Sequence, residues 1–318
     1  MKKLLILGAG AGGTMIATKM RKLLSEREWE ITIIDRDPVH HYQPGWLLVP
    51  FGVDTPQGCV RPKKDFISRG VNFVLDTITA VDPVQRKVVC KNSTHTYDWI
   101  VVASGARIAP DEVPGLLDDW GGKIHNFYTH DGAAALYGKM KNFKKGRLVL
   151  HICETPIKCP VAPLEFVYMA DWYLQKMGVR DNVEIELVTP LTGAFTKPVA
   201  NNILGALCEK KGIKVTTNWT VDSVEADRAV ISSVTGDEIP YDLLVSIPPN
   251  LGQEFLIESD VSDVTGFIDT DKELLKSKKF ENMYIIGDAT NVPASKAGSV
   301  AHFEADVIAQ NLLSDIEG

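Results

Sequence analysis

Cys159 and Glu165 stand six residues apart in CETPIKCPVAPLEF, where a turn bearing proline and cysteine runs into a helix-forming segment. A thiol just ahead of a helix N-terminus is shifted toward the thiolate, the form that attacks other sulfur atoms. Cys153 is the candidate second thiol, because a turn can fold residues 154–158 back and bring two sulfurs into bonding range. Its alternative is a core cysteine at a strand end. Glu165 falls in the first helical turn, either as a base or as a carboxylate favoured there by the helix dipole. No metal is expected. His151, Cys153 and Cys159 match no common zinc spacing, and the adjacent His40 and His41 read as polar loop residues. Cys59, Cys90 and Cys208 read as ordinary packing residues.

A second chemistry is written at the N-terminus. Lys3–Leu7 is apolar, GAGAGG fills Gly8 to Gly13, Thr14–Leu24 has helical character, and Glu30–Ile34 is apolar again and ends on Asp35. Strand, glycine turn, helix, strand and acid, in that order, cradle a dinucleotide. Gly8 permits the tight turn, Gly10 lets backbone approach a pyrophosphate, and Gly13 lets helix and strand pack closely. The helix N-terminus offers N–H groups and a positive dipole end to the phosphates. Asp35, 22 residues beyond Gly13, is placed to accept from a ribose hydroxyl.

The elements that must position these residues occur twice. Gly70-Val71-Asn72-Phe73 is echoed by Gly212-Ile213-Lys214-Val215, Arg86-Lys87-Val88-Val89 by Arg228-Ala229-Val230-Ile231, and Tyr97-Asp98 by Tyr241-Asp242. The step from glycine to Tyr-Asp is 27 residues in the first copy and 29 in the second. One supersecondary unit is therefore repeated. The expected fold is α/β, two Rossmann-like domains each with a β-meander insertion. Residues 1–106 plus 250–318 should form one domain and 107–249 the other. In the second copy the strand Arg147–Ile152 runs into the cysteine turn instead of a glycine fingerprint, and Val183–Val188 ends on Thr189 instead of an acid. That copy is expected to have lost nicotinamide-dinucleotide binding. A third landmark, Met283–Ile286 followed by Gly287-Asp288-Ala289-Thr290, is a strand ending in Gly-Asp, with a helix expected from about Gly298 to Leu313.

The chain has 318 residues, 45% hydrophobic and 24% charged, enough for sizeable cores. A net charge of −7 with no basic tract argues against nucleic acid as a partner. No stretch of 18 apolar residues exists to cross a bilayer. The opening apolar run is too short for a signal peptide, and the five cysteines without an export signal fit a reducing compartment. A cytoplasmic location follows as the expectation, at the inner face of the cell membrane if a membrane partner exists.

GAGAGG with Asp35, the Ala103-Ser104-Gly105 strand end and GDAT resemble the FAD-containing flavoproteins of glutathione-reductase-like fold. IKCPVAPLE, with YQPGWLLVPFG and VPASKAG, narrows this to a resemblance to sulfide:quinone oxidoreductases and flavocytochrome c sulfide dehydrogenases, along essentially the whole chain. The resemblance implies FAD as cofactor, a sulfur species as reductant and a quinone or another carrier as acceptor. It makes Cys159 the redox cysteine beside the flavin and Glu165 a nearby base. It places Gly8, Gly10, Gly13, Asp35, Ser104, Gly105, Gly287, Asp288 and Lys296 against FAD, with Lys296 steadying negative charge on the flavin. It brings the segments of Gln43 and Ile78 close to the cofactor. The family adds a second redox cysteine and amphipathic membrane-docking helices beyond the segment matching GDAT and its helix. The residues after Gly298 contain neither, so membrane contact, a partner subunit and a homo-oligomer stay open. Two rivals remain: a type II NADH:quinone dehydrogenase, which needs the dinucleotide site missing from the second copy, and a flavin-bearing relay subunit without its own sulfide turnover.

Overall fold

Leu4, Leu5, Ile6 and Leu7 are all buried, which an alternating strand achieves only if both faces of its sheet are covered. In the computed structural model, which describes all 318 residues, this strand is β1 (Lys2–Leu7). It leads through α1 (Ala11–Leu23) to β2 (Trp29–Asp35) and β3 (Asn72–Leu75). A meander of β4 (Ile78–Asp82), β5 (Lys87–Cys90) and β6 (Thr94–Thr96) precedes β7 (Trp99–Val102). A second series follows: β8 (Ile124–His125), α2 (His130–Asn142), β9 (Gly146–Ile152), α3 (Ala162–Lys176), β10 (Val183–Val188), α4 (Pro198–Lys210) and β11 (Ile213–Thr216). Its own meander is β12 (Val221–Glu225), β13 (Val230–Ser233) and β14 (Glu238–Pro240), and it closes with β15 (Leu243–Ile247). The chain ends on β16 (Met283–Ile285) and α5 (Gly298–Glu317).

These elements form two compact units, residues 1–41, 61–107 and 251–318 in one and residues 42–60 and 108–250 in the other. The first holds the parallel sheet β16-β7-β1-β2-β3 and the second the parallel sheet β8-β15-β9-β10-β11. In the first, Leu4 and Ile6 pack with Ile16 and Met20 of α1 and Ala305, Ile308 and Leu312 of α5. Leu5 and Leu7 point the other way, onto Val81 and Val88 of the meander. In the second, Phe166, Val167, Ala170 and Leu174 form the buried stripe of α3. One boundary departs from the sequence reading. Tyr42–Val60 groups with the second unit, because Trp46, Val49 and Phe51 complete that core; the ring centroids of Phe51 and Phe166 lie 5.1 Å apart.

The repeat extends to single hydrogen bonds. Asp98 accepts from the Lys3 N–H at 2.7 Å, and Asp242 accepts from the Arg147 N–H at 2.8 Å. Both meanders turn on a left-handed residue, Arg86 (φ 51°) and Ala229 (φ 52°). The Tyr97 N–H donates to the Arg86 carbonyl, and the Tyr241 N–H to that of Ala229. The echo that set Arg86 against Arg228 is therefore one residue out: Arg86 corresponds to Ala229. On the β1 and β9 side the equivalence runs Lys3 to Arg147, Leu7 to His151 and Ala9 to Cys153, and Val102 corresponds to Ser246.

Candidate active site

Parallel strands put their C-terminal ends on one edge, and a sheet of this kind binds its ligand there. In the first unit Leu7 lies beside Ile34 and Val102, and Val102 beside Ile285. The residues that follow, Gly8 to Gly10, Asp35, Ala103 to Gly105 and Ile286 to Asp288, share that edge. Gly8 has φ +100°. A Cβ on Gly13 would overlap the Gly8 carbonyl oxygen, so no other residue lets α1 begin this close to β1. A Cβ on Gly10 would meet no protein atom within 4 Å: the space over the helix N-terminus is open, and no side chain caps that helix. The Ser104 hydroxyl is buried without a protein partner, and a Cβ on Gly105 would also meet nothing within 4 Å. Open room over uncapped N–H groups, with an orphaned hydroxyl on the same edge, fits a dinucleotide such as FAD.

Asp35 is pinned more firmly than its motif suggests. Its Oδ2 accepts from the Ala9 N–H at 2.7 Å and pairs with Lys63 Nζ at 2.8 Å, while Oδ1 accepts from the Asp37 N–H at 2.9 Å. Lys296 has partners within the protein. Its ammonium is buried, donates to the carbonyls of Asp288 (2.8 Å) and Thr290 (2.9 Å), and lies 3.9 Å from the centroid of the Phe267 ring. Burial lowers its pKa. It braces the Gly-Asp loop. Glu304 of α5 accepts the Gly287 N–H at 2.6 Å, and burial raises its carboxyl pKa. Ile78 is half-buried against the core of its own unit. Gln43 belongs to the other unit, where its Oε1 accepts from Lys158 Nζ at 3.3 Å.

In the second unit residues 153–161 join β9 to α3. Cys159 is exposed, whereas Cys59, Cys90, Cys153 and Cys208 are buried, and burial pushes each of those four thiols up. Cys153 reaches about 12. Its sulfur is 3.2 Å from Ser246 Oγ and 3.6 Å from His151 Nδ1, inside the core. Full burial and a tightly held proton weigh against Cys153 as the attacking or resolving partner of Cys159. The Cys159 turn is fastened along its length. The Lys158 N–H donates to Asn250 Oδ1 at 2.9 Å, and the Cys159 carbonyl accepts from the Ala162 N–H at 3.0 Å and from the Tyr128 hydroxyl at 3.2 Å. Lys158 Nζ sits over the rings of Trp46 and Tyr128. These contacts hold Cys159 at φ +47°, a backbone state that non-glycine residues adopt only when surroundings impose it.

Glu165 faces solvent from the first turn of α3, and the partial burial of its carboxyl raises its pKa. Tyr128 is the residue that sequence reasoning missed. Its phenol is buried, and burial, then the charges of Cys159 and Glu165, raise its pKa well above the ordinary value. The one local signal was an aromatic pair, Phe127-Tyr128, just ahead of Thr129, whose side chain caps α2 by accepting from the Gly132 N–H.

Residues 2–147 match the family described as pyridine nucleotide-disulphide oxidoreductase. The chain has the FAD/NAD(P)-binding fold of that class. Along nearly its whole length it is similar to sulfide:quinone oxidoreductases. It is 27% identical over 319 residues to the mitochondrial sulfide:quinone oxidoreductase of Dictyostelium discoideum, covering 98% of this chain and 70% of the relative. The sulfide:quinone oxidoreductase of Aquifex aeolicus superimposes with a TM-score of 0.87 at 19% identity, over 100% of this chain and 77% of that one. A type II NADH:quinone oxidoreductase of Staphylococcus aureus is 34% identical, but only over 119 residues, 37% of this chain and 29% of the relative.

Proposed function

We propose that this protein is an FAD-dependent oxidoreductase that takes electrons from sulfide, or a related sulfur species, at Cys159 and delivers them to a quinone. The observation that carries the reading is that the one exposed thiol is held on a fastened turn where a second dinucleotide site would need glycines. Bound FAD would supply a two-electron acceptor, held by the N-terminus of α1, Gly10, Asp35, Ser104 and the Gly-Asp loop. The chain's own work is at sulfur. Cys159 holds the nucleophilic sulfur: joining its thiolate to the sulfur of HS⁻ as a persulfide would release one proton to the chain and two electrons, which the bound FAD would have to accept. Glu165, whose carboxyl is biased toward accepting a proton, takes the proton. Tyr128 and Asn250 hold the sulfur-bearing turn. A lipid-soluble acceptor puts electron exit at a membrane surface, on its cytoplasmic side; no helix of the chain is long and apolar enough to cross a membrane.

The test is an anaerobic flavin titration. The purified protein should release FAD on denaturation, its flavin should bleach rapidly with sulfide, and NADH or NADPH should bleach it slowly or not at all. Rapid, saturable bleaching by NADH would transfer the protein to the dehydrogenase reading. A folded protein without affinity for FAD would end the flavoprotein reading.

A further inference from the structure

Lys63 is a charged residue deep in the first unit, 5% exposed. It opens the short turn Lys63–Phe66, and its backbone N–H donates to the Pro38 carbonyl at 2.7 Å. Its ammonium pairs with Asp35 Oδ2 at 2.8 Å. An ammonium carries three donors, and buried donors left unmet are costly. Asp35 is held in turn by the Ala9 and Asp37 N–H groups, which leaves accepting capacity on Oδ1. Close by, the His40 ring lies 4.3 Å from that of Phe66, and its Nδ1 is buried with no partner. Burial, then the charge on Lys63, lowers the His40 pKa, so this imidazole is neutral and adds no charge of its own. Unused donors and an unused acceptor therefore meet at one end of the strand edge. A vicinal diol answers both, since each hydroxyl can give a proton to a carboxylate and accept one from an ammonium.

We infer that Lys63 is part of the dinucleotide site: it fixes the Asp35 carboxylate and gives an N–H to the ribose, so the ribose is read by an ion pair instead of a lone acid. This rests on the dinucleotide reading above and specifies the chemistry of one end of it, a free ribose diol. Lys63 is a positioning residue in this role.

The experiment uses ADP and 2′,3′-dideoxy-ADP as competitors for FAD on the flavin-stripped full chain. In the wild type, removing the diol should weaken binding by at least ~10-fold, as expected when charged partners lose their hydrogen bonds. In Lys63→Met the two competitors should differ by less than ~3-fold, because the diol and the lysine are coupled. FAD itself should bind Lys63→Met at least ~10-fold more weakly. The inference is overturned if the ADP to dideoxy-ADP ratio is the same in both proteins, since a merely structural lysine would lower affinity for both alike. Should the unpaired acid keep Lys63→Met from folding, Asp35→Asn/Lys63→Met is compared with Asp35→Asn. A smaller ADP to dideoxy-ADP ratio in the double variant than in Asp35→Asn supports the inference, and the same ratio in both contradicts it. A wild type that takes no FAD would defeat the dinucleotide reading itself, whereas a wild type that takes FAD with an unchanged Lys63→Met ratio defeats this inference alone.

Discussion

The two sheets share one strand order and one meander, yet their equivalent edges hold opposite chemistry. After β1 the chain reaches α1 through Gly8 to Gly10; after β9 it reaches α3 only after residues 153–161. Asp35 ends β2, whereas the second sheet has Thr189, fully buried, its hydroxyl accepting from the Leu191 N–H at 3.2 Å. Leu7, Ala9 and Val102 in the first are replaced by His151, Cys153 and Ser246 in the second. A short glycine turn leaves backbone N–H groups bare for phosphate. A long turn covers that ground and presents a side chain instead. The scaffold tolerates both because strand pairing and the Tyr-Asp corner, not the turn, hold it together.

The largest effect expected from breaking this contrast is at Gly10. Gly10→Val fills the open space over α1, and FAD affinity should fall by ~10³-fold, about 4 kcal/mol, as read by flavin retained after gel filtration. Unchanged retention would mean that the glycine turn binds nothing. Next is Cys159→Ser, which should keep fold and FAD but slow sulfide-driven flavin reduction by at least ~10²-fold, the usual cost of losing a covalent catalyst. Rapid bleaching in this variant would put electron entry elsewhere, and Cys90→Ser should change little.

The third effect is on stability. His151 is fully buried and burial lowers its pKa from 6.5 to about 3. Between those two values the unfolded chain binds the extra proton, so this residue withdraws stability as pH falls below 6.5. The loss should be about 2 kcal/mol by pH 5. His151→Leu, which restores the first unit's residue type, should remove that part of the acid sensitivity in urea titrations at pH 7.5 and 5. An identical pH dependence would show that His151 is already protonated when folded. The smallest effect is expected from Tyr128→Phe, which keeps the ring and drops one hydrogen bond to the Cys159 carbonyl. Sulfide-driven reduction should slow ~5-fold, about 1 kcal/mol, with FAD affinity unchanged. A loss of FAD affinity would contradict a role confined to the cysteine turn.

Much of the scaffold was legible because it is written locally. Apolar runs, the glycine spacing, the terminal acid and the doubled Tyr-Asp corner all act within a few residues of themselves. The repeat was found one residue out of register because both turns need a left-handed residue and neither Arg86 nor Ala229 announces one. What stayed hidden depends on partners distant in the chain. Lys63 gains its meaning from Asp35, Glu304 from the Gly287 N–H, and Tyr128 from the Cys159 carbonyl. Lys296 was noticed for its charge, but its protein acceptors are backbone carbonyls with no sequence signature. Cys159 was marked by its place before a helix and Cys153 by a strand end, and burial separates them further.

The placement of α5 sets an order of events during synthesis. The face formed by Leu4, Ile6, Ile16 and Met20 is covered by Ala305, Ile308 and Leu312. Ribosomes deliver that cover some three hundred residues after the strand that needs it, after the whole second sheet has emerged. The second sheet can therefore condense while the first still shows a bare apolar surface. Unassembled sheet of this kind is what holdase chaperones bind and what aggregates when they are scarce. Substitutions that weaken the α5 contact should reduce yield from cells more than they reduce the stability of whatever protein is recovered.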